Sequence, residues 1–411
     1  MSIPAPSDER GRSATIGYLV SLYPAASHTF IRREVAALRL MGAAIRTYSV
    51  RRPPTDNQSA DDRAETAATY YILGQSILRL VLANIRAMAR PRRYLATLAL
   101  ALRHRVPGAR ALAWALFHFV EATALAARLE RDGVTRLHNH FGNAGATVGL
   151  LAANYLEMPW SLTLHGISEF DYPAGNLLPA KLKRADFAAC VSYFGMAQAM
   201  RLTDPALWHK LHVVRCALDL TTLPAAERPP VPEVVKIVCV ARLSPEKGLF
   251  GLLFAVRNLL DDGAAVDLTL VGDGPVRNSV VAEIARLGLE RNVAMLGALD
   301  EPATLATIAG CDVMVSASFM EGLPIVLMEG LALGKAVVAS RVAGIPELVE
   351  DERTGLLFHP ADWAGLTRQL ARLVADAALR ERLGSAGRAA VGEAFAYPAA
   401  AHPLRELLSK R

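Results

Sequence analysis

The sequence predicts an α/β chain of two domains, each a parallel sheet covered by helices on both faces, set against each other across a cleft. Two observations carry this expectation. Strand-like apolar runs alternate with helical stretches of ten to fifteen residues in two separate series, with a proline-rich stretch between them. The charge divides at the same place: residues 1–225 carry 26 Lys+Arg against 16 Asp+Glu, and residues 226–411 carry 19 against 23. With 411 residues, 52% hydrophobic and 20% charged, the chain is too long for one core and too apolar for a disordered protein.

The first series opens with "TIGYLVSLY" (Thr15–Tyr23), followed by a loop and helix over Ser27–Met41 and a strand at Ile45–Val50. Val134–His140, Trp160–His165, Asp186–Ser192 and Leu211–Cys216 read as further strands, with a helix starting from Asn143. Prolines through Thr221–Glu233 exclude a helix or a central strand, so 221–233 is expected to be a linker. The second series begins with Val234–Arg242 and the helix "LFGLLFAVRNLL", then continues through Ala265–Gly272, "NVAMLG", "DVMVSAS" and "AVVAS". The expected domains are 1–220 and 234–392, with 393–411 returning as a helix to the first. Cys190, Cys216, Cys239 and Cys311 form no disulfide or metal-ligand pattern, which fits reduced thiols in the cytosol. The N-terminus lacks the apolar core of a signal peptide, and the longest uncharged apolar runs in the first half have about ten residues where a spanning helix needs roughly twenty.

Open α/β sheets bind ligands beyond their strand C-termini, so the turns there are the candidate sites. In "FMEGLPIVLMEGLALGKAVVAS" (Phe319–Ser340), Pro324 suits the first turn of a helix, and the N–H groups of Leu323 and Ile325 with the helix dipole suit a phosphate. Glu321 precedes that helix, and Glu329 lies six residues beyond Leu323, roughly 9 Å along its axis. Carboxylates so placed can accept hydroxyls on both sides of a diphosphate, but the spacing alone favours the blander reading of a solvated Glu321 and a locally paired Glu329. "VARLSPEKG" (Val240–Gly248) brings Arg242 and Lys247 to a helix N-terminus, two cations able to stabilise a departing diphosphate. "LVGDGPVR" adds a turn at Gly272 and Gly274 but lacks the third glycine of a dinucleotide fingerprint.

In this order, the motifs resemble the donor domain of glycosyltransferase family 4, closely over Val234–His359. The resemblance implies a GT-B fold of two Rossmann-like domains and a retaining, metal-independent transferase with no cofactor beyond its nucleotide diphosphate sugar substrate. It implies that Glu321 contacts the donor sugar and Glu329 the ribose, while Arg242 and Lys247 hold the diphosphate and the Gly322 turn borders them. "LTLHGISEF" places His165-Gly166 where the family has a His-Gly beside the donor sugar. "YPAASHTFIRRE" (Tyr23–Glu34) replaces the Gly-Gly loop of many relatives and is similar to members that make exopolysaccharides, including the colanic-acid type. Its Ser27 or Thr29 can cap the next helix and face the acceptor side of the cleft. His138 and His140 of "HNHF" share a strand face without a nearby acidic partner, so this reads as a strand end lining the cleft and not as a metal site.

Residues 66–120 contain no Asp or Glu and eight arginines, set among "ILRLVLANI", "YLATLALAL" and "ALAWALFHFV". An apolar helical face with a basic rim suits the surface of an anionic membrane, whereas few aromatics interleave the arginines as nucleic-acid binding would require. The expected protein is cytoplasmic and peripheral on the inner face of the plasma membrane, adding sugars to a glycan or lipid-linked glycan acceptor. The rival readings are a sugar-nucleotide epimerase of the same architecture and a non-catalytic membrane-bound assembly subunit.

Overall fold

In the computed structural model, residues 14–25, 29–54, 58–224, 233–397 and 399–410 are described. Thr15–Leu22 (β1), Ala44–Arg51 (β2), Tyr70–Tyr71 (β3), Val134–His140 (β4), Trp160–Leu164 (β5), Ala188–Cys190 (β6) and Leu211–Val213 (β7) form one sheet. Their spatial order is β3-β2-β1-β4-β5-β6-β7, and the pairs are parallel. Val235–Val240 (β8), Val266–Val271 (β9), Val293–Gly297 (β10), Val313–Ser316 (β11), Ala336–Ser340 (β12) and Leu356–Phe358 (β13) form the second, ordered β10-β9-β8-β11-β12-β13. The first six strands of each sheet thus repeat one doubly wound order. The order reverses between β1 and β4, and again between β8 and β11, opening a crevice at each strand C-terminal edge. Runs such as "WSLTL" and "AVVAS" are buried at every position because helices cover both sheet faces.

Three helices, Ile77–Ala87, Pro91–Arg103 and Ala109–Arg131, join β3 to β4 over the basic stretch. The third is a core element: Phe119, Ala122, Leu125 and Leu129 pack with Leu19 and Tyr48 of the sheet. It is also long and apolar enough by composition to cross a membrane, which the sequence reading did not expect, although half of that window is buried inside the domain. The outer faces leave Ile77, Leu78, Ile85, Met88, Leu95 and Trp114 at least half exposed.

The chain end ties the domains together. After the helix Ala377–Ala394, Ala396 pairs with Leu218, and the helix His402–Ser409 inserts Leu404, Leu407 and Leu408 beside Ile16, Val20 and Ile31 of the first core. The core of the N-terminal domain is therefore completed by the last residues of the chain. Ser27 and most of the expected linker, 225–232, lie outside the described residues.

Candidate functional site

The loops after β8 and β11 are fastened to each other before any ligand enters. Phe319 N–H donates to the Glu246 carbonyl at 2.8 Å. Lys247 Nζ and Ser318 Oγ each donate to Glu321 Oε1 at 2.7 Å, and Ser340 Oγ anchors the loop through the Ser318 carbonyl at 2.5 Å. Arg242 is more exposed; its guanidinium meets Glu246 Oε1 at 2.7 Å. Burial opposes charge on Glu246, but hydrogen bonds from Ser244 and Arg242 hold its carboxyl down at about 2. Arg242, Lys247, Glu321, Leu323 and Ile325 line one cleft of 750 Å³, with Gly272 at its β9 side. Gly274 does not line the cleft; it packs against the Leu243 backbone, which a side chain there would strike. The helix begins one residue later than the sequence suggests: Pro324 is its cap and Ile325 its first residue. The leading N–H groups are then those of Ile325 and Val326, which have no acceptor within the helix.

Glu329 reaches the cleft from this helix but is bound to the other domain. Its carboxylate accepts Arg33 Nη2 at 2.6 Å, and Arg33 also donates to Glu301 through Nε at 3.0 Å. Arg32 joins the same network through Glu301, Asp61 and Asp62. Burial raises the Glu329 pKa against the pull of Arg33, so this carboxylate is costly to leave without a cation or a hydrogen-bond donor.

On the facing side, Glu169 organises two turns at once. Its carboxylate accepts the N–H of Gly142 at 2.5 Å, of His165 at 2.6 Å and of Gly166 at 3.0 Å. Buried Lys181 donates to the carbonyls of Gly142, Asn143 and Asn176 at 2.7–2.8 Å. Thr29, His165 and Gly166 border the cleft. The His165 ring packs against both Phe30 and Phe141, at centroid distances of 4.6 and 4.7 Å.

Two readings of the histidine pair are corrected. His140 does not line the cleft; it is fully buried behind His165, with His140 Nδ1 2.8 Å from His165 Nε2. Nor does the pair lack an acidic neighbour. The helix Thr29–Leu40 brings Glu34 Oε1 to 3.1 Å from His140 Nε2, and Glu34, His138 and His140 place ligand-type atoms within 4.8 Å of one another. Both His138 nitrogens are taken, by Ser161 at 2.8 Å and Thr163 at 2.9 Å, so the cluster reads as a hydrogen-bond network.

The two sides meet at glycine. A Cβ on Gly322 would lie 2.0 Å from the His165 carbonyl oxygen, and one on Gly166 would lie 2.6 Å from the Gly322 Cα. Gly166 also has φ of +136°, a conformation that disfavours any side chain. Beside this contact, Glu347 of the second domain accepts the N–H groups of Tyr193 and Phe194 at 2.9 and 2.8 Å and pairs with Arg215 at 2.7 Å. It occupies the N-terminus of the helix Tyr193–Arg201, where a carboxylate is favoured. Sequence reasoning missed Arg33, Glu34, Glu169, Lys181 and Glu347. Only Glu34 left a readable signal, a carboxylate within the apolar stripe Ile31-Val35-Leu38 of its helix.

Residues 226–390 match the family described as glycosyl transferases group 1. The chain is 30% identical over 285 residues to the amylovoran biosynthesis glycosyltransferase AmsK of Erwinia amylovora, covering 66% of this chain and 69% of that protein. It is 25% identical over 385 residues to the putative colanic acid biosynthesis glycosyltransferase WcaL of Salmonella typhimurium, covering 87% and 89%. The fold superposes on Anabaena Alr3699/HepE, solved with UDP and glucose, with a TM-score of 0.72 at 18% identity over 96% of this chain and 99% of that one.

Proposed function

This chain belongs to the group 1 glycosyl transferases, with a GT-B fold, and on that premise we propose that it moves a sugar from a nucleotide diphosphate sugar onto a growing exopolysaccharide glycan, with retention at the anomeric carbon. The observation that carries the proposal is the Lys247–Glu321 pair, set in a two-domain cleft at the start of the Pro324-capped helix. Lys247, Arg242 and the Ile325 end of the helix give the diphosphate its cationic surroundings as it leaves, and no metal cofactor is needed for that charge. Glu321 takes the sugar side. Glu329 takes the ribose hydroxyls in place of Arg33, which keeps Glu301 as a partner. The bond from the anomeric carbon to the diphosphate breaks, the acceptor hydroxyl bonds to that carbon on the same face, and its proton passes to the departing phosphate. The exopolysaccharide assignment draws support from AmsK and WcaL, and the donor class from the UDP and glucose held by the Anabaena protein.

The acceptor we propose is lipid-linked, and the protein is cytoplasmic, at the inner face of the plasma membrane. Support comes from the exposed apolar side chains on the helices of residues 77–131, interleaved with arginines such as Arg79 and Arg86 and with none of the acidic residues that would repel an anionic leaflet before Glu121. A panel of nucleotide sugars, scored for binding and slow hydrolysis, tests the enzymatic reading. Glu321→Gln should lower turnover at least a hundredfold with the fold intact, and unchanged turnover contradicts its role. Sedimentation with anionic vesicles at low salt tests the membrane reading, which fails if the protein stays in solution.

A further inference from the structure

The chemistry proposed for the cleft does not use Glu34, yet this buried carboxylate faces His140, the ring that stands behind the His165 bordering the cleft. Tyr18 Oη donates to Glu34 Oε1 at 3.0 Å, His140 Nε2 stands 3.1 Å from the same oxygen, and His140 Nδ1 stands 2.8 Å from His165 Nε2. The rings of His140 and His165 are nearly parallel, 22° apart with centroids at 5.1 Å. Glu34 and His140 are both cut off from water, with 6% and 0% of their surface exposed. The Glu34 contact is off the line of a full hydrogen bond, leaving His140 Nε2 buried without an aligned acceptor. Such contacts often tighten only when a ligand closes the site.

We propose that Glu34 is a positioning residue for the donor site: acting through His140, it stabilises an extra proton on the His140–His165 pair, so that His165 presents a cationic imidazole to the diphosphate sugar. This rests on the reading of His165 as a donor-side group. The proton inventory follows from the geometry. With one proton on each ring, His140 keeps its hydrogen on Nε2 toward the carboxylate, and Nδ1 accepts from His165 Nε2–H. A second proton on His165 makes the pair a monocation, whose charge spreads toward Glu34 through the 2.8 Å bridge. Burial opposes that charge, and the carboxylate opposes burial. The other groups facing this network are Tyr18 on β1, His138 on β4, and Arg33, Cys216 and Tyr397 around Glu34. Arg33 is already held by Glu301 and Glu329, which leaves Glu34 as the carboxylate next to the histidines.

The test is NMR of the full chain with 15N-labelled histidine, titrated for the unaltered protein and for Glu34→Gln, with the pH profile of UDP-glucose hydrolysis measured on the same samples. An opposite charge within about 4–6 Å favours the charged form by one to three pH units. The expected result is a coupled titration of His140 and His165 whose midpoint falls by about one unit in Glu34→Gln, with the alkaline limb of the rate profile, where the cation is lost, moving to lower pH with it. Independent titration of the two rings in the unaltered protein, which needs no variant to fold, overturns the proposal. So does a midpoint that Glu34→Gln leaves in place. Hydrolysis unaffected by His165→Asn would instead overturn the donor-side reading of His165 on which the proposal rests.

Discussion

Replacing Gly322 by alanine should disable the enzyme without unfolding it. The added Cβ would stand 2.0 Å from the His165 carbonyl, where side-chain carbons do not approach closer than 3.0 Å, so the loops must part by at least an ångström. The His165 loop has little freedom to yield, because Glu169 holds its N–H and that of Gly166. Gly322 itself has no left-handed backbone angle, so alanine brings no conformational strain of its own and the contact across the cleft is the only thing tested. A misplacement of about 1 Å between reacting groups costs on the order of a hundredfold in rate. Steady-state donor turnover should therefore fall about a hundredfold, while the protein stays folded with a loss of stability of no more than about 1–3 kcal/mol. Turnover within twofold of normal would refute the view that these two loops close on the substrate together.

Lys247→Met should destabilise the protein by about 3 kcal/mol in denaturant unfolding, because it strands a largely buried Glu321. The double variant Lys247→Met/Glu321→Gln should recover at least half of that loss, and additive losses would contradict the pairing. Glu347→Ala removes the acceptor of two helix N–H groups and the partner of Arg215, at a cost of about 1 kcal/mol; it should also speed proteolysis between the domains, and an unchanged digestion rate would count against this contact as a strut. The Glu246 carboxyl is held at about 2 against an ordinary 4.5, so its contribution is complete above pH 4.5 and is lost as pH falls toward 2. The stability advantage over Glu246→Gln should accordingly be present at neutral pH and close across that acidic range, and a pH-independent gap would refute it.

The parts of this architecture that could be read in advance were those encoded locally. Buried strands such as Ala336–Ser340 and the turn residues after β8 and β11 each announce themselves within ten residues or so. The contacts that join the domains have no such local code. Arg33 meets Glu329 across 296 residues, and Tyr193 meets Glu347 across 154. Each of these side chains, taken alone, looks like an ordinary charge on a helix or loop. The error over His140 has the same origin: its acidic neighbour comes from the helix after β1, which only the β1-β4 pairing brings alongside. Glu329 was legible as a cleft carboxylate but not as a group engaged by the opposite domain. Its arginine partner was in plain view in "FIRRE" without any pattern to mark its direction.

The proposed activity requires a diphosphate in the space beside Lys247. Calorimetric titration of nucleoside diphosphates, UDP first, into the unaltered protein and Lys247→Met measures this directly. The predicted result is saturable binding of at least one nucleoside diphosphate that Lys247→Met weakens tenfold or more. The absence of binding by every nucleoside diphosphate tried, or equal affinity in the variant, would contradict it.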